Sequence, residues 1–235
     1  MSQFFSESIL YAADRGKLPL AADIKPISPR DGELVAGRDP VALVTILEAA
    51  GVCALSVVTE SVHFGGSLDL LRQVTGAVSL PVLRKDFISS AMQIDETIDA
   101  GAAAILLTVA TMPELKITGL YRRALSLGLE PLVEVHTESE LRFALGLVPR
   151  PGIIGINNRD ITALEKDDGD VSVTEDLAPL VPDGVAILSE SSILSPDDAR
   201  RAFEAGAHGV LVGTAILQAA DPAACVNDFA AFGGG

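Results

Sequence analysis

The sequence predicts an α/β fold in which eight parallel strands alternate with helices and close into one barrel. Three observations support this prediction. Short apolar runs rich in β-branched residues alternate with longer amphipathic runs rich in alanine and leucine. Eight such pairs fit within 235 residues, a length typical of this architecture. Three of the helix exits read EAAG, DAG and EAG, so that one strand and one helix form the repeated unit.

The predicted strands are continuous apolar runs, as expected for strands that helices cover from outside. They are Leu18–Lys25, Ala54–Glu60, Pro81–Phe87, Ala103–Ala110, Pro131–His136, Gly152–Asn157, Ala186–Glu190 and Gly209–Gly213. The predicted helices are Phe5–Ala13, Pro40–Ala50, Leu68–Thr75, Ser90–Ala100, Pro113–Leu127, Ser139–Leu147, Thr174–Leu180, Pro196–Ala205 and Pro222–Phe232. We therefore predict a single (β/α)8 TIM barrel domain over residues 1–235, with a short N-terminal helix.

Residues at the predicted helix ends agree with this division. Capping residues precede three helices, at Asp39, Thr137 and Ser195, and glycines follow four helices, at Gly51, Gly101, Gly128 and Gly206. An open, doubly wound sheet is the main alternative, and it would bind a nucleotide through a glycine-rich first loop. The first strand here is followed by PISPRDG, which contains neither GxGxxG nor a P-loop. The closed barrel is therefore favoured.

Composition limits the partners of the chain. The formal net charge of −15 argues against nucleic acid, which requires a basic surface. No apolar run approaches the roughly 20 residues that span a bilayer, and the N-terminal segment does not resemble a secretory signal. The two cysteines, Cys53 and Cys225, make neither a disulfide framework nor a metal site. We predict a cytoplasmic protein without a metal or a membrane partner, as a monomer or weak dimer, with a solvated acidic loop at Glu165–Glu175.

Polar residues end nearly every predicted strand, whereas the opposite strand ends are apolar or begin with proline or glycine. The polar ends include Asp23, Lys25, Lys85, Thr108, Glu134, His136, Asn157, Arg159, Glu190 and Ser191. Because the carboxyl ends of the strands of such a barrel meet at one mouth, we expect these side chains to converge. Lysines and carboxylates that share a mouth can pair and shift one another's pKa values apart, as acid–base chemistry requires. For either lysine alone, an ordinary ion pair is the alternative; for His136, which has no obvious partner, we predict a structural or substrate-lining role.

The last two strands predict a phosphate site. They end in LSESS and VLVGTAIL, and the Gly213-Thr214 pair opens a short helix. Backbone N–H groups at such a turn attract an anion, and phosphate sites of this architecture follow the seventh and eighth strands. A side chain at position 213 would hinder the close approach of a phosphate. A plain tight turn is the alternative interpretation.

Eight segments, one for each strand–helix unit, resemble the motifs of the indole-3-glycerol-phosphate synthase family, barrel enzymes of tryptophan biosynthesis. They are AADIKPISPRDG, SVVTESVHFGGSLDLL, PVLRKDFI, ILLTVA, PLVEVH, GINNRD, LSESSI and VLVGTAIL. They occur in order over nearly the whole chain, and VLRKDFI together with GINNRD is highly specific. The resemblance implies a carboxy-lyase that needs no cofactor and acts on a phosphorylated, anionic small molecule.

The resemblance also implies roles for individual residues. Lys85 would be the general acid, assisted by Lys25, and Glu134 would stabilise charge on the reacting amine. The other implied catalytic residues are Asp23, Asn157 and Glu190. Among the implied substrate-binding residues, Phe64, Leu83 and Leu106 would line the site of the aromatic ring, and Arg159 and Ser191 would lie near the anthranilate end. The implied phosphate-binding residues are Ser28, Ser192, Gly213 and Thr214.

The sequence departs from the family pattern at three points. Asp23 replaces the family's glutamate, and Ser192 replaces a glycine of the phosphate loop. Ser192 could donate its hydroxyl there only if the backbone does not require a positive φ. The leading helix that the family carries before Phe5 is not expected here. These departures keep two alternatives open, another phosphate-binding barrel enzyme (an isomerase of phosphoribosyl anthranilate or a lysine-dependent lyase) and a non-catalytic, ligand-binding relative.

Overall fold

Eight parallel strands close into a barrel in the computed structural model of the chain, which describes residues 4–15, 19–35, 37–161 and 169–231. The barrel strands are β1 (Leu20–Ile24), β4 (Ala54–Val58), β5 (Val82–Lys85), β6 (Ala104–Thr108), β7 (Glu130–Val135), β8 (Ile153–Asn157), β9 (Ala186–Glu190) and β10 (Gly209–Val212). Strand β10 pairs with β1, where Leu20 lies opposite Val210, and this pairing completes the ring. The predicted α/β barrel is confirmed.

Helices separate the barrel strands along the chain. They are α1 (Phe5–Asp14), α2 (Pro40–Ala50), α3 (Leu68–Ala77), α4 (Ala91–Asp99), α5 (Glu114–Ser126), α6 (Glu138–Leu145), α7 (Ser172–Leu177), α8 (Pro196–Glu204), α9 (Thr214–Gln218) and α10 (Pro222–Ala231). The predicted caps are present: Asp39 accepts from the N–H of Val41, and Ser195 forms a capping box with Asp198. Gly51 ends α2 with a φ of 100°, a conformation that favours glycine.

Two apolar layers stabilise the barrel. The outer layer lies between the strands and the helices that surround them. The inner layer fills the barrel with side chains from alternate positions of the strands: Ala21, Ala54, Leu83, Ala104, Leu106, Leu132, Ile153, Ala186, Leu188 and Leu211. Successive side chains of a strand point to opposite faces, so one apolar run supplies both layers. The barrel is therefore a packed core below its mouth.

Helix α1 closes the N-terminal end of the barrel. Phe5 and Ile9 are fully buried and belong to the inner apolar layer. Ser6 fixes the helix to β7, because its N–H and its hydroxyl donate to the carboxylate of Glu130 at 3.0 and 2.5 Å. A Cβ atom at Gly209 would lie 2.7 Å from Ile9 Cγ2, so this glycine permits the close approach of α1. The predicted N-terminal helix thus covers the end opposite the mouth.

Most sequence-based boundaries were too long at the strand ends. The strand predicted at Ala103–Ala110 ends at Thr108, where a 3₁₀ turn, Val109–Thr111, begins. The predicted acidic loop at Glu165–Glu175 was wrong in its last part, since α7 begins at Ser172; residues 162–168 lie outside the described residues, as do Leu18 and Phe232. The antiparallel hairpin of β2 (Ile27–Ser28) and β3 (Gly32–Glu33) was not predicted, because strands of two residues show no periodicity.

Candidate active site

Buried polar side chains line the mouth formed by the carboxyl ends of the strands. Asp23 and Lys25 follow the apolar part of β1, Glu134 lies near the end of β7, and Asn157 and Glu190 end β8 and β9. Each of these side chains is at most 7% exposed. Burying so many polar groups is unfavourable unless they pair or bind a ligand. The convergence predicted from the sequence is thus present in the structure.

Lys85 joins two of the carboxylates. Its ammonium nitrogen lies 2.8 Å from Glu190 Oε2 and 3.8 Å from Glu134 Oε2. Glu134 is oriented further by two donors: the hydroxyl of Thr108 donates to Oε1 at 2.9 Å, and the amide of Asn157 donates to Oε2 at 3.2 Å. These contacts hold one cation and two carboxylates in fixed geometry, as proton transfer between them requires.

Glu190 lies in an environment that disfavours its charge. Burial raises the pKa of Glu190 to about 7, although the nearby ammonium of Lys85 acts to lower it. Its Oε1 atom is buried and has no hydrogen-bond partner among the described residues. A Cβ atom at Gly155, on the neighbouring strand, would lie 2.1 Å from that oxygen, so only glycine leaves room for this carboxylate. Glu190 is therefore partly protonated near neutral pH.

Asp23 is the second carboxylate with an unsatisfied oxygen. Its Oδ1 atom is buried without a hydrogen-bond partner in the described part of the chain. A Cβ atom at Gly213 would lie 3.2 Å from Asp23 Cβ and 3.4 Å from Oδ2. The absence of a side chain at Gly213 thus accommodates Asp23, which is a structural reason for the glycine that the sequence did not reveal.

Two cavities meet at the lysines, and each comprises roughly 400 Å³ of space, including the part that is open to solvent. The first cavity is mainly apolar and is lined by Val58, Phe64, Phe87, Leu106 and Ile161, together with Thr108 and Glu134. The second is mainly polar and is lined by Arg159, Ser191, Ser192, Gly213 and Thr214. Asp23, Lys25 and Lys85 line both cavities. The mouth can therefore hold a molecule with an apolar end and an anionic end, with two ammonium groups between them.

One wall of the apolar cavity is formed by a loop whose conformation is fixed by hydrogen bonds to Glu60. The carboxylate of Glu60 accepts from the backbone N–H groups of Val62, His63 and Phe64. Burial opposes ionisation of Glu60, but these three hydrogen bonds outweigh it and lower its pKa. The ring of Phe64 is thereby fixed with its centroid 5.8 Å from the ammonium of Lys25.

The polar cavity contains two consecutive serines in the left-handed region. Ser191 and Ser192 have φ values of 63° and 57°, which favour glycine. Ser192 could replace a glycine without strain only where the backbone does not require a positive φ, and its φ here is positive. Its hydroxyl accepts from Arg159 Nε at 3.1 Å, and this contact offsets part of the backbone cost. Arg159 and Ser191, expected near the anthranilate end, line the polar cavity rather than the apolar one.

Four predicted site residues line neither of these two cavities. Asn157 and Glu190 nevertheless contact the lining residues Glu134 and Lys85, and the other two are Leu83 and Ser28. Leu83 is fully buried in the inner apolar layer, two residues before Lys85 on the same face of β5, and lines neither cavity. The hydroxyl of Ser28 donates to Asp31 Oδ2 at 2.9 Å and accepts from the Asp31 N–H at 3.1 Å. Ser28 is thus engaged within its own loop and is not a lining residue of the polar cavity.

Sequence reasoning missed several residues that shape the mouth. Asn158 is buried and donates to the backbone oxygens of Glu190 and Ser191, fixing the loop after β9. The second asparagine of GINNRD was a visible signal for this role. Phe87 contributes a wall of the apolar cavity, and its place directly after VLRKD could have suggested as much. No sequence signal identified Gly155, because the carboxylate that it accommodates belongs to another strand.

Neither a spanning helix nor a metal centre is found in the described ranges. No helix among residues 4–15, 19–35, 37–161 and 169–231 has the length and apolar character to cross a membrane. Within the same ranges, no three histidine, cysteine, aspartate or glutamate side chains are grouped as metal ligands.

Comparison with known proteins gives one consistent result. Residues 2–229 match the family model described as indole-3-glycerol phosphate synthase. A protein of that name from Pyrococcus furiosus is 43% identical over 213 residues, which are 91% of this chain and 92% of the relative. A protein of the same name from Halalkalibacterium halodurans is 44% identical over 87% of this chain and 78% of the relative. Another from Kineococcus radiotolerans is 40% identical over 94% of this chain and 79% of the relative.

Proposed function

The chain belongs to the indole-3-glycerol phosphate synthase family, and from this membership we propose that its barrel mouth closes a pyrrole ring with Lys85 as the general acid. The substrate would be 1-(2-carboxyphenylamino)-1-deoxyribulose 5-phosphate and the product indole-3-glycerol phosphate. One observation carries the proposal: Lys85 lies where the apolar and the polar cavity meet, within 2.8 Å of Glu190 and 3.8 Å of Glu134.

The reaction releases one CO2 and one water. The ring carbon that bears the carboxylate attacks the ketone carbon, while a proton from Lys85 reaches the ketone oxygen. The bond to the carboxylate then breaks, CO2 leaves, and the electron pair restores the aromatic ring. The new hydroxyl leaves as water with a second proton, assisted by the nitrogen lone pair, and loss of a proton from carbon completes the indole.

Lys85 must regain its proton for the second protonation. Glu190 is suited to supply it, since burial raises its pKa to about 7 and its Oε2 lies 2.8 Å from the ammonium nitrogen. A donor with a pKa near the working pH transfers protons efficiently. We therefore assign Glu190 the role of recharging Lys85.

Glu134 is suited to the positive charge that develops on the nitrogen. Thr108 and Asn157 each donate to one of its oxygens, so that the carboxylate cannot rotate freely. A fixed anion stabilises a developing cation without the cost of reorienting solvent. In this proposal Asn157 positions Glu134 and orients the substrate.

The two ends of the substrate would bind in the two cavities of the mouth. The aromatic ring would lie in the apolar cavity against Phe64 and Leu106, and the phosphate in the polar cavity near Ser191, Ser192, Gly213 and Thr214. Lys25, which lines both cavities, would contact anionic groups and assist the later proton transfers, with Asp23 beside it. Arg159 would meet an anionic group in the polar cavity. Leu83 and Ser28 have no role in this proposal, because Leu83 belongs to the inner apolar layer and Ser28 bonds Asp31 within its own loop.

The decisive experiment follows the fluorescence of indoleglycerol phosphate with purified protein and the proposed substrate. Lys85→Ala is expected to lower kcat by roughly 10²–10⁴-fold, the usual contribution of a general acid. Lys116→Ala is a matched control, because Lys116 is an exposed residue of α5 outside the mouth. Unchanged kcat in Lys85→Ala would contradict the assignment.

Two further outcomes separate the proposal from its alternatives. A lysine-dependent lyase forms a Schiff base, so borohydride would attach a ketone or aldehyde substrate to Lys85, whereas the synthase should not be trapped. Tight binding of the substrate without any product would instead indicate a ligand-binding relative. Retention of Lys25, Lys85 and Glu134 at one mouth supports the synthase.

The remaining predictions concern partners and location. The family acts on a phosphorylated small molecule, in keeping with the two ammonium groups between the cavities. We propose in addition a cytoplasmic monomer or weak dimer, with no nucleic acid as partner. Sedimentation at several protein concentrations measures the oligomeric state directly.

A further inference from the structure

His136 lies beside the proposed catalytic carboxylate in a geometry that the mechanism above does not use. The residue follows β7 and is two positions beyond Glu134, so both side chains point to the interior of the barrel mouth. His136 Nε2 is buried, lacks a hydrogen-bond partner among the described residues, and lies 3.9 Å from Glu134 Oε1. A buried polar nitrogen left without a partner calls for a physical explanation.

The other side of the imidazole is firmly held. Glu140, in the first turn of α6, accepts from the backbone N–H of His136 at 2.8 Å, and the same oxygen lies 3.3 Å from Nδ1. Glu140 is itself placed by the helix cap, since its N–H donates to the hydroxyl of Thr137. A carboxylate at Nδ1 favours a proton on that nitrogen and directs Nε2 towards Glu134.

We propose that His136 is a positioning residue for the ring closure: its imidazolium, oriented by Glu140, attracts the Glu134 carboxylate and keeps it directed at the substrate amine. The inference rests on the proposed role of Glu134. It adds a third residue to the set that fixes this carboxylate, besides Thr108 and Asn157, and it is the only one of the three that can carry charge.

Charges around His136 favour its protonated form. Burial of the ring opposes protonation, but the hydrogen bond to Glu140 and the charges of Glu134, Glu140 and Glu190 outweigh it and raise the pKa of His136 above its ordinary value. The ammonium of Lys85 faces the other oxygen of Glu134, Oε2, at 3.8 Å. Because the pKa is raised, the imidazolium is present below the ordinary histidine range and is lost as the pH rises through the raised pKa.

The first measurement tests the charge of His136 without any reaction. The chain has three histidines, so the imidazole NMR signal missing from His136→Asn identifies this residue. Its titration midpoint is expected above the ordinary value of about 6.5, and Glu140→Gln is expected to lower that midpoint. A midpoint that does not move in Glu140→Gln would overturn the claim that Glu140 supports the charged form.

The second measurement compares kcat/KM of the wild type and of His136→Asn across pH. Asparagine keeps an amide that can bond Glu140 but carries no charge. We expect the wild type to exceed the variant roughly tenfold below the His136 midpoint, mainly in kcat, and the two to converge above it. Taking the ratio cancels the titration of groups that the substitution does not affect. A ratio that is independent of pH, or near one throughout, would show that His136 is structural only.

Two controls make the result specific. His208→Asn changes a half-buried histidine whose Nδ1 accepts from the N–H of Ile187, near the opposite end of the barrel, and it should leave the pH profile unchanged. Glu140→Gln should move the pH-dependent step to lower pH, in parallel with its NMR midpoint. Absence of product with the wild type would refute the proposed function itself, whereas normal wild-type turnover with a flat ratio refutes only the role of His136.

Discussion

The carboxylates at the two ends of the barrel differ in their hydrogen bonds: Glu130 is half-buried at one end, and Asp23 and Glu190 are buried at the other. At the N-terminal end, Glu130 receives hydrogen bonds from the N–H and the hydroxyl of Ser6. At the mouth, one oxygen of Glu190 and one of Asp23 are buried without a hydrogen-bond partner among the described residues. An unsatisfied buried oxygen costs free energy, and it is retained where a substrate can complete it. The closed end thus serves stability, and the mouth keeps its polar groups available for chemistry.

A glycine at each end makes the same contrast testable. Gly155 gives room to a carboxylate at the mouth, and Gly209 gives room to helix α1 at the closed end. If the two ends have separate roles, an added methyl group should damage catalysis at one end and stability at the other.

The largest effect is expected from Gly155→Ala. The new Cβ would lie 2.1 Å from Glu190 Oε1 and would push this carboxylate away from Lys85. Since a misplacement of about 1 Å can cost roughly 100-fold in rate, we expect kcat to fall by about that factor. Gly152→Ala, on the same segment, is the control, because its Cβ would meet only Glu130 Oε1 at an ordinary 3.7 Å. Steady-state kinetics measure kcat. A wild-type kcat in Gly155→Ala would contradict the hypothesis that the mouth serves catalysis and the closed end serves stability.

The next effect is expected from Gly209→Ala, and it concerns stability. A Cβ there would lie 2.7 Å from Ile9 Cγ2 and 2.9 Å from the backbone oxygen of Pro19. Overpacking of this kind lowers the free energy of unfolding by about 2 kcal/mol, while kcat should stay close to the wild-type value. Urea denaturation measures the change.

A control for that experiment is Gly119→Ala, in the exposed middle of α5, where nothing lies within 4 Å of the new Cβ. It should raise stability by about 0.5–1 kcal/mol, because alanine favours helix over glycine. If Gly209→Ala lowers kcat as strongly as Gly155→Ala does, the closed end cannot be separate from the mouth.

The smallest effect is expected from Asp23→Glu, which sharpens the comparison within the mouth. The added methylene carries the carboxylate further into the space that Asp23 shares with Lys25 and Lys85. Restoring the length typical of the family is expected to raise turnover about tenfold. Asp23→Asn keeps the shorter length and removes the charge, and its turnover should fall. Lower turnover in Asp23→Glu would instead indicate a pocket built for the shorter acid.

The fold was predictable because each strand and helix carries its own local pattern. Alternating apolar runs gave the barrel, and cap residues such as Ser195 and Gly51 gave the helix ends. The strand bounds were less accurate, because polar residues just beyond a strand, such as Thr59 and Asp86, continue an extended sequence pattern into loops.

The site was predictable in its residue types but not in its distances. Lysines and carboxylates at strand ends indicated the cluster around Lys85, since all these ends meet at one mouth. The engagement of Ser28 with Asp31 and the left-handed backbone at Ser192 depend on loop conformation, which the sequence pattern does not encode. The importance of Gly155 for Glu190 depends on the register between β8 and β9, which the sequence pattern does not encode.

Helix α1 contacts β4, β9 and β10, so it packs partly against strands that the ribosome makes much later. Phe5 and Ile9 can reach their burial sites only after residues 186–212 have left the exit tunnel. Until then, the N-terminal end of the nascent barrel stays open. Synthesis of β9 and β10, rather than of any single earlier strand–helix unit, therefore completes this end of the molecule.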